Sequence, residues 1–224
     1  MQQISFKLTK TNKLTHDVYE LVFTTPERIE VAPGQYVLFM LPKSKLRRAY
    51  SIGYTDGQEF IFIIKQLDGG VGSTEICSLE IGEEIIGMVP LGHFVLKANN
   101  TPKLFIGTGT GFAPLYFQIR TLMDTGIQTP LRYIFGVRSS IDIFYIEELN
   151  RMKQEYPSFD YQIFLSQEDS AHTTHGRVTD FITKENIGTY GEFYLCGSPA
   201  MVKDARHKLE ECGIEKEKVF FEQY

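Results

Sequence analysis

The chain has 224 residues, 42% apolar, 13% aromatic and 23% charged, which suits a folded protein with two modest hydrophobic cores and excludes a disordered or collagen-like chain. A formal charge of -5 argues against a nucleic-acid binder, which would carry a basic face. No apolar run approaches a membrane span, and the opening MQQISFKLTK lacks the apolar core of a signal peptide, so the expectation is a cytoplasmic protein without membrane insertion.

Cys77, Cys196 and Cys212 are odd in number and far apart, giving neither a disulfide framework nor the thiolates of an iron-sulfur cluster. Any redox centre must be organic, or belong to a partner, and no metal site is expected. Up to about Lys97 the chain consists of short alternating runs, ISFKLT, VYELVFTT, QYVLFML, RAYSIGY, EFIFIIK and EEIIGMV, separated by Pro-Gly, Asp-Gly and Gly-Gly turns. That spacing predicts an antiparallel barrel or sandwich. A short helix over 73–79, capped by Ser73, is expected after Gly70-Val71-Gly72.

After Asn99-Asn100-Thr101-Pro102 the pattern changes. Apolar strands (KLFIG, LRYIFGV, FDYQIFL, EFYLCG) alternate with helical segments over 112–123, 146–156 and 198–212. The last carries Ser198 as N-cap, Pro199 at the first helical position and Gly213 just past the end. Such alternation predicts a parallel sheet, and the predicted domains are 1–99 and 100–224.

In the segment KLRRAYSIGY, strand alternation points Arg48, Tyr50 and Ile52 to one side and Ala49, Ser51 and Gly53 to the other. An anionic, flat ligand would account for the arginine and the tyrosine. The run Gly107 to Pro114 (GTGTGFAP) takes a buried strand through three alternate glycines into a helix, a geometry in which amides and the helix N-terminus face a phosphate. It is neither a Rossmann fingerprint nor a P-loop, and by itself also fits a tight strand-to-helix turn. Ligands of open parallel sheets bind beyond the strand C-termini, where Gly107–Gly111, Val137-Arg138-Ser139, Ser166-Gln167-Glu168 and Cys196-Gly197-Ser198-Pro199 all fall. Gly70, Val71, Gly72 and Ser73 form a second candidate anion cradle, or a plain hairpin-to-helix turn. His172 and His175 lie in a polar stretch that reads as a loop, and Cys77 and Cys212 as small apolar residues.

Taken together, Arg48-Ala49-Tyr50-Ser51, Gly70 to Ser73, Gly107 to Pro114 and Cys196 to Met201 resemble, in order and spacing, the motifs of the ferredoxin-NADP reductase family. The resemblance implies a two-domain fold, an antiparallel Greek-key flavin barrel followed by an α/β domain with a five-stranded parallel sheet. It implies bound FAD, with FMN the lesser candidate, and NADH or NADPH as hydride donor. Arg48 and Ser73 would hold the flavin diphosphate, Tyr50 would lie on the isoalloxazine, and Ser51 would hydrogen-bond near N5. Ala49, Ile64, Lys65, Gly70, Val71 and Gly72 complete the implied flavin set. Thr108, Gly109, Thr110, Gly111, Pro114, Arg138, Ser166, Glu168, Gly197, Pro199 and Met201 make up the dinucleotide side, with Thr110 and Cys196 flanking the nicotinamide.

Ser51, Cys196, Glu222 and Tyr224 are the implied catalytic set. The ending resembles the plant-type one, in which a terminal tyrosine covers the flavin; a frayed terminus is the alternative. Acidic residues after the third strand, Glu168 and Asp169, favour a free ribose 2'-hydroxyl and so NADH, although Arg138 and Arg177 remain available to a phosphate. Electrons would pass to a separate carrier such as ferredoxin or flavodoxin. Lys43, Lys45, Arg47 and Arg48 are a candidate docking cluster, or a solvated loop. The competing readings are a free flavin reductase, which releases its flavin, and a non-catalytic redox-sensing subunit.

Overall fold

A computed structural model describes residues 1–126 and 128–224. The chain divides into two compact units, one of Met1–Leu96 with Tyr116–Gln118 and one of Lys97–Leu115 with Ile119–Tyr224.

The first unit holds β1 (Gln2–Lys13), β2 (Val18–Thr24), β3 (Tyr36–Met40), β4 (Arg47–Ser51), β5 (Tyr54–Thr55), β6 (Glu59–Lys65), helix α1 (Val71–Cys77) and β7 (Glu84–Leu91). Its strands form one antiparallel sheet in the order β4-β3-β7-β1-β2-β6-β5. The two outer strands, β4 and β5, are consecutive in sequence, so the run RAYSIGY turns the corner that closes the barrel. Ile52 N–H donates to Gln35 and Gly53 N–H to Ile61 across that corner. Alternate residues point inward, and Phe6, Phe23, Phe39, Phe60 and Phe62 interlock edge-to-face as the core. Helix α1 begins two residues earlier than expected and ends two earlier. Gly70, in an extended conformation, is its N-cap, and Ser73 lies inside the helix with its hydroxyl donating to Gly70 O at 3.1 Å. Ser73 therefore does not cap the helix. The Ser73 hydroxyl oxygen also accepts Leu67 N–H at 3.0 Å and fixes the turn before the helix.

The second unit alternates β8 (Lys103–Thr108), α2 (Phe112–Asp124), β9 (Leu131–Val137), α3 (Ile146–Glu155), β10 (Phe159–Leu165), β11 (Thr174–His175), α4 (Lys184–Ile187), β12 (Glu192–Gly197), α5 (Pro199–Glu211) and β13 (Val219–Gln223). All its pairings are parallel, in the order β11-β10-β9-β8-β12-β13. The sheet thus has six strands where five were expected. The extra one, β11, is a two-residue edge strand in the polar stretch read as a loop, where alternation has too few residues to show. The ending forms strand β13 and is not frayed. The central strands β8 and β12 are buried nearly throughout, as parallel strands covered on both faces must be. Ser198 caps α5 by accepting Met201 N–H at 3.3 Å, Pro199 opens it, and Gly213 follows its end at φ 89. No helix among the described residues is long and apolar enough to cross a membrane.

Candidate functional site

In the second unit the chain leaves β8 on one side toward β9 and returns on the other as β12, so the sheet order reverses between β8 and β12. Ligands of open parallel sheets bind at such a switch point. Here Thr108 leads through a 3₁₀ turn, Gly109–Gly111, into α2, with Pro114 in the first turn. Gly109 adopts φ 54, and open space lies where its side chain would stand. Gly111 packs so closely on β12 that a Cβ would come 2.3 Å from Cys196 O. Ser198 N–H donates to the Thr108 hydroxyl at 3.4 Å, joining the two loops. Met201 is buried under Gly197.

The ending is registered onto this floor. Cys196 pairs with Glu222 and Gly197 with Gln223, while Tyr224 N–H donates to Gly197 O at 3.3 Å. Tyr224 is 55% exposed as a residue, but its hydroxyl end turns inward to the Cys196 thiol and the Thr110 hydroxyl. Loss of water there pushes the phenol well above its ordinary value. Burial, with the Glu222 carboxylate nearby, also raises the Cys196 thiol, so Cys196 is a neutral thiol at physiological pH. Thr110, Cys196, Glu222 and Tyr224 are therefore brought together.

Further along the rim, Ser166 N–H donates to Val137 O and Gln167 N–H to Arg138 O. Glu168 reaches back across this rim, accepting Ser140 N–H at 2.6 Å. The Ser140 hydroxyl and amide hold its carboxyl below the usual range. Arg138, Ser166 and Arg177 are exposed. Among the described residues no group of three or more His, Cys, Asp or Glu side chains is placed to hold a metal. His175 lies 3.2 Å from Asp169.

In the first unit, Arg48 lies across the start of α1. A Cβ on Gly72 would come 2.9 Å from Arg48 Cγ and 3.0 Å from its Nε. The absence of a side chain at Gly72 is what lets the guanidinium stem lie there, beside helix N–H groups that no side chain caps. Arginine and glycine turn thus meet in space, 24 residues apart in sequence, as a cradle for a diphosphate would need. Tyr50 is half-buried against Phe39, ring centroids 6.3 Å apart. Burial pushes its phenol far up and the Arg48 charge opposes this. Ser51, on the opposite face of β4, pairs with Tyr36. Ala49 is exposed. Ile64 faces the barrel core and Lys65 pairs with Asp17 at 2.7 Å, so their side chains are committed elsewhere. Their main chain is what they can offer, since the ladder from β5 to β6 stops at Ile61.

Two further residues organise these sites. Glu75 of α1 accepts the N–H groups of Lys43 at 2.5 Å and Ser44 at 3.1 Å, pinning the loop of Lys43 and Lys45 that leads into Arg47 at the start of β4. Ser140 pins Glu168. Both act across about thirty residues of chain, and no local pattern in the sequence announces either.

Residues 5–96 match the family model of the oxidoreductase FAD-binding domain and residues 105–207 that of the oxidoreductase NAD-binding domain. The chain is 33% identical over 196 residues to the toluate 1,2-dioxygenase electron transfer component of Pseudomonas putida, an alignment covering 86% of this chain and 58% of that one. It is 28% identical to the propane 2-monooxygenase reductase component of Mycolicibacterium goodii, over 100% of this chain and 68% of the relative. It is 30% identical to the reductase component of the naphthalene 1,2-dioxygenase system of Pseudomonas putida, over 92% and 64%. The chain therefore spans about 58% to 68% of the length of these relatives. Among solved structures, the Amycolatopsis cytochrome P450 reductase GcoB shares the fold at a TM-score of 0.92 and 24% identity, covering 99% of this chain and 69% of that one. A ferredoxin NADP+ reductase from Neisseria gonorrhoeae with bound FAD and NADP does so at 0.89 and 16%, covering 100% and 99%.

Proposed function

Because the chain belongs to the ferredoxin-NADP reductase-like oxidoreductases, with an FAD-binding domain followed by a NAD-binding domain, we propose that it moves reducing equivalents from a nicotinamide dinucleotide through FAD to a separate electron carrier. The observation that carries this reading is the pairing, in one chain, of the Arg48–Gly72 cradle with the Gly111–Cys196 floor at a sheet switch point. FAD, when bound, accepts a hydride and returns the electrons singly or in pairs. The protein supplies orientation and charge. Arg48 and the first N–H groups of α1, including that of Ser73, hold the diphosphate. Tyr50 packs on the ring system, and Ser51 donates to its reacting edge.

On the dinucleotide side, amides of Gly109 to Gly111 and the N-terminus of α2 take the pyrophosphate, with Thr110 and Cys196 on either side of the nicotinamide. Tyr224, whose hydroxyl now rests on both, withdraws to admit it, a gating step open to the rate-limiting role such motions often have. The donor is NADH. Glu168, held charged by Ser140 at the third strand's end, accepts from a ribose 2'-hydroxyl and repels a 2'-phosphate.

The acceptor is an acidic protein carrier, a ferredoxin or an oxygenase component of the kind the relatives' names indicate. It docks on Lys43 and Lys45, in the loop that Glu75 holds, and on Arg47 at the start of β4, on an otherwise acidic chain. We place the reaction in the cytoplasm, where three free cysteines stay reduced. The test is the visible spectrum of the purified protein before and after anaerobic NADH and, separately, NADPH. Retained yellow colour bleached faster by NADH is expected; a colourless protein that reconstitutes no flavin would overturn retained FAD in favour of flavin as a departing substrate.

A further inference from the structure

One side of the second unit's sheet carries a row of rings in register across the strands. Phe105 stacks on Tyr194 at 5.2 Å and Tyr194 on Phe220 at 4.9 Å, while Tyr133 stacks on Phe135 at 5.7 Å. Three of the five are phenylalanines, so packing alone asks for no hydroxyl. Tyr194 has a use for its own, which donates to Glu192 at 3.1 Å and accepts Lys97 N–H at 3.0 Å. Tyr133 has none. It is fully buried, and its hydroxyl has no hydrogen-bond partner among the described residues. A buried hydroxyl left unpaired is destabilising where a phenylalanine would not be, so this one calls for a role.

Its direction supplies one. Tyr133 Oη stands 2.9 Å from where the Cβ of Gly107 would be, so it passes over the sheet through the gap that glycine leaves. Gly107 is the register partner of Cys196 on the adjoining strand. The hydroxyl thus lies over Gly107, within electrostatic reach of Cys196 on the adjoining strand, the residue that floors the proposed nicotinamide site. The groups facing Cys196 are the Glu222 carboxylate, the Tyr224 hydroxyl, the Gly197 N–H and Tyr133. Of these Tyr224 is the one the incoming ring displaces.

We infer that Tyr133 is a positioning residue, whose hydroxyl donates to Cys196 Sγ when Tyr224 withdraws and so keeps the thiol proton directed at the nicotinamide. The inference rests on the reading of Cys196 as part of that site. In the resting arrangement Tyr224 serves the thiol from outside; in the open one Tyr133 serves it from within. The thiol therefore has a fixed rotamer in both states, and the hydroxyl is unpaired only in the first.

The test compares the FAD-loaded wild type with Tyr133→Phe. Three readings are taken: the infrared S–H stretch of Cys196 with and without saturating NAD+, assigned by its loss in Cys196→Ser; the urea midpoint; and the rate of anaerobic flavin reduction by NADH. The expectation is a variant at least as stable as the wild type, with unchanged NADH affinity, an S–H band that no longer responds to NAD+ as the wild type's does, and reduction slowed about fivefold, the scale of one net hydrogen bond. An unmoved band together with an unchanged rate would overturn the inference. Should Tyr133→Phe not fold, fluorotyrosine at position 133, a stronger donor, must shift the NAD+-dependent band in the opposite sense, and a band indifferent to it would also overturn the inference. If the wild type is itself not reduced by either dinucleotide, the proposed function fails, while the band still reports whether Tyr133 reaches Cys196.

Discussion

The two units present ligand-binding groups by opposite means. In the first, the candidate groups are side chains, Arg48, Tyr50 and Ser51, displayed by an outer strand of a barrel whose phenylalanine core fixes where that strand lies. In the second the groups offered to the pyrophosphate are main chain, amides of a glycine turn at a sheet switch point, and the Thr108 side chain closes two of the loops on each other. A side-chain site tolerates loss of one member with a graded penalty. A main-chain site fails when its close packing fails, because the backbone has nowhere else to go.

The sharpest way to break this contrast is Gly111→Ala. The new Cβ would come 2.3 Å from Cys196 O and 2.8 Å from Gly197 Cα, both backbone. Neither can yield cheaply, so the second unit should lose about 3 kcal/mol or more and with it the response to NADH, while FAD stays on the first unit. Urea unfolding followed alongside flavin absorbance checks this. Simultaneous loss of flavin would mean that the two sites do not fail independently.

Arg48→Ala should be milder in stability and stronger on the flavin. Removing a charge-assisted contact to phosphate costs about 2 kcal/mol, a roughly thirtyfold weaker FAD affinity, with the second unit's unfolding unchanged. Equilibrium titration of the apoprotein with FAD gives the number. Equal affinity in the variant would remove the Arg48–Gly72 cradle from the account.

The same contrast explains what was legible in the sequence. Glycines at Gly107, Gly109 and Gly111 follow one another along the chain, so the second site announces itself locally, as does α5 through Ser198, Pro199 and Gly213. The first site is assembled from β4 and α1, and its contact between Arg48 and Gly72 cannot be inferred from spacing, only from the family resemblance. A serine near the start of α1 suggests a side-chain cap, whereas Gly70 caps the helix with its backbone alone. The resemblance puts Ile64 and Lys65 in the flavin set, while the barrel's alternation sends the Ile64 side chain inward and Asp17 takes that of Lys65. Tyr133 looked like any aromatic of a buried strand; what singles it out is the absence of a partner, and no sequence carries that.

A smaller effect tests charge in the second site. Glu168→Gln should raise kcat/KM for NADPH relative to NADH about fivefold, since one repulsive contact to a 2'-phosphate is neutralised while a ribose hydroxyl keeps a hydrogen-bond acceptor. Because Ser140 holds the Glu168 carboxyl below its ordinary value, the wild-type preference should be constant across neutral pH and relax only as pH falls through that lowered value. A preference that already changes between about pH 6 and 8 would mean that Glu168 does not set it.

The smallest effect lies in the buried thiols. Burial pushes Cys77 up to about 12 in the first unit and raises Cys196 in the second, while an unfolded thiol ionises near its ordinary value of about 8.5. The folded state therefore holds the proton more tightly. Stability from this source is complete below the unfolded value and is lost as pH rises from there toward the folded one. Cys77 packs at the edge of the barrel core and is only partly covered, so its share should be about 1 kcal/mol between pH 8 and pH 10, less than full burial would give. Cys77→Ala should unfold more readily than the wild type at pH 8 and lose most of that deficit by pH 10, because the variant has no thiol to ionise. Urea unfolding of the first unit at the two pH values measures the difference. A deficit that stays constant would mean that Cys77 stabilises the barrel by packing alone, and the alkaline weakness would then belong to Cys196 and the second unit.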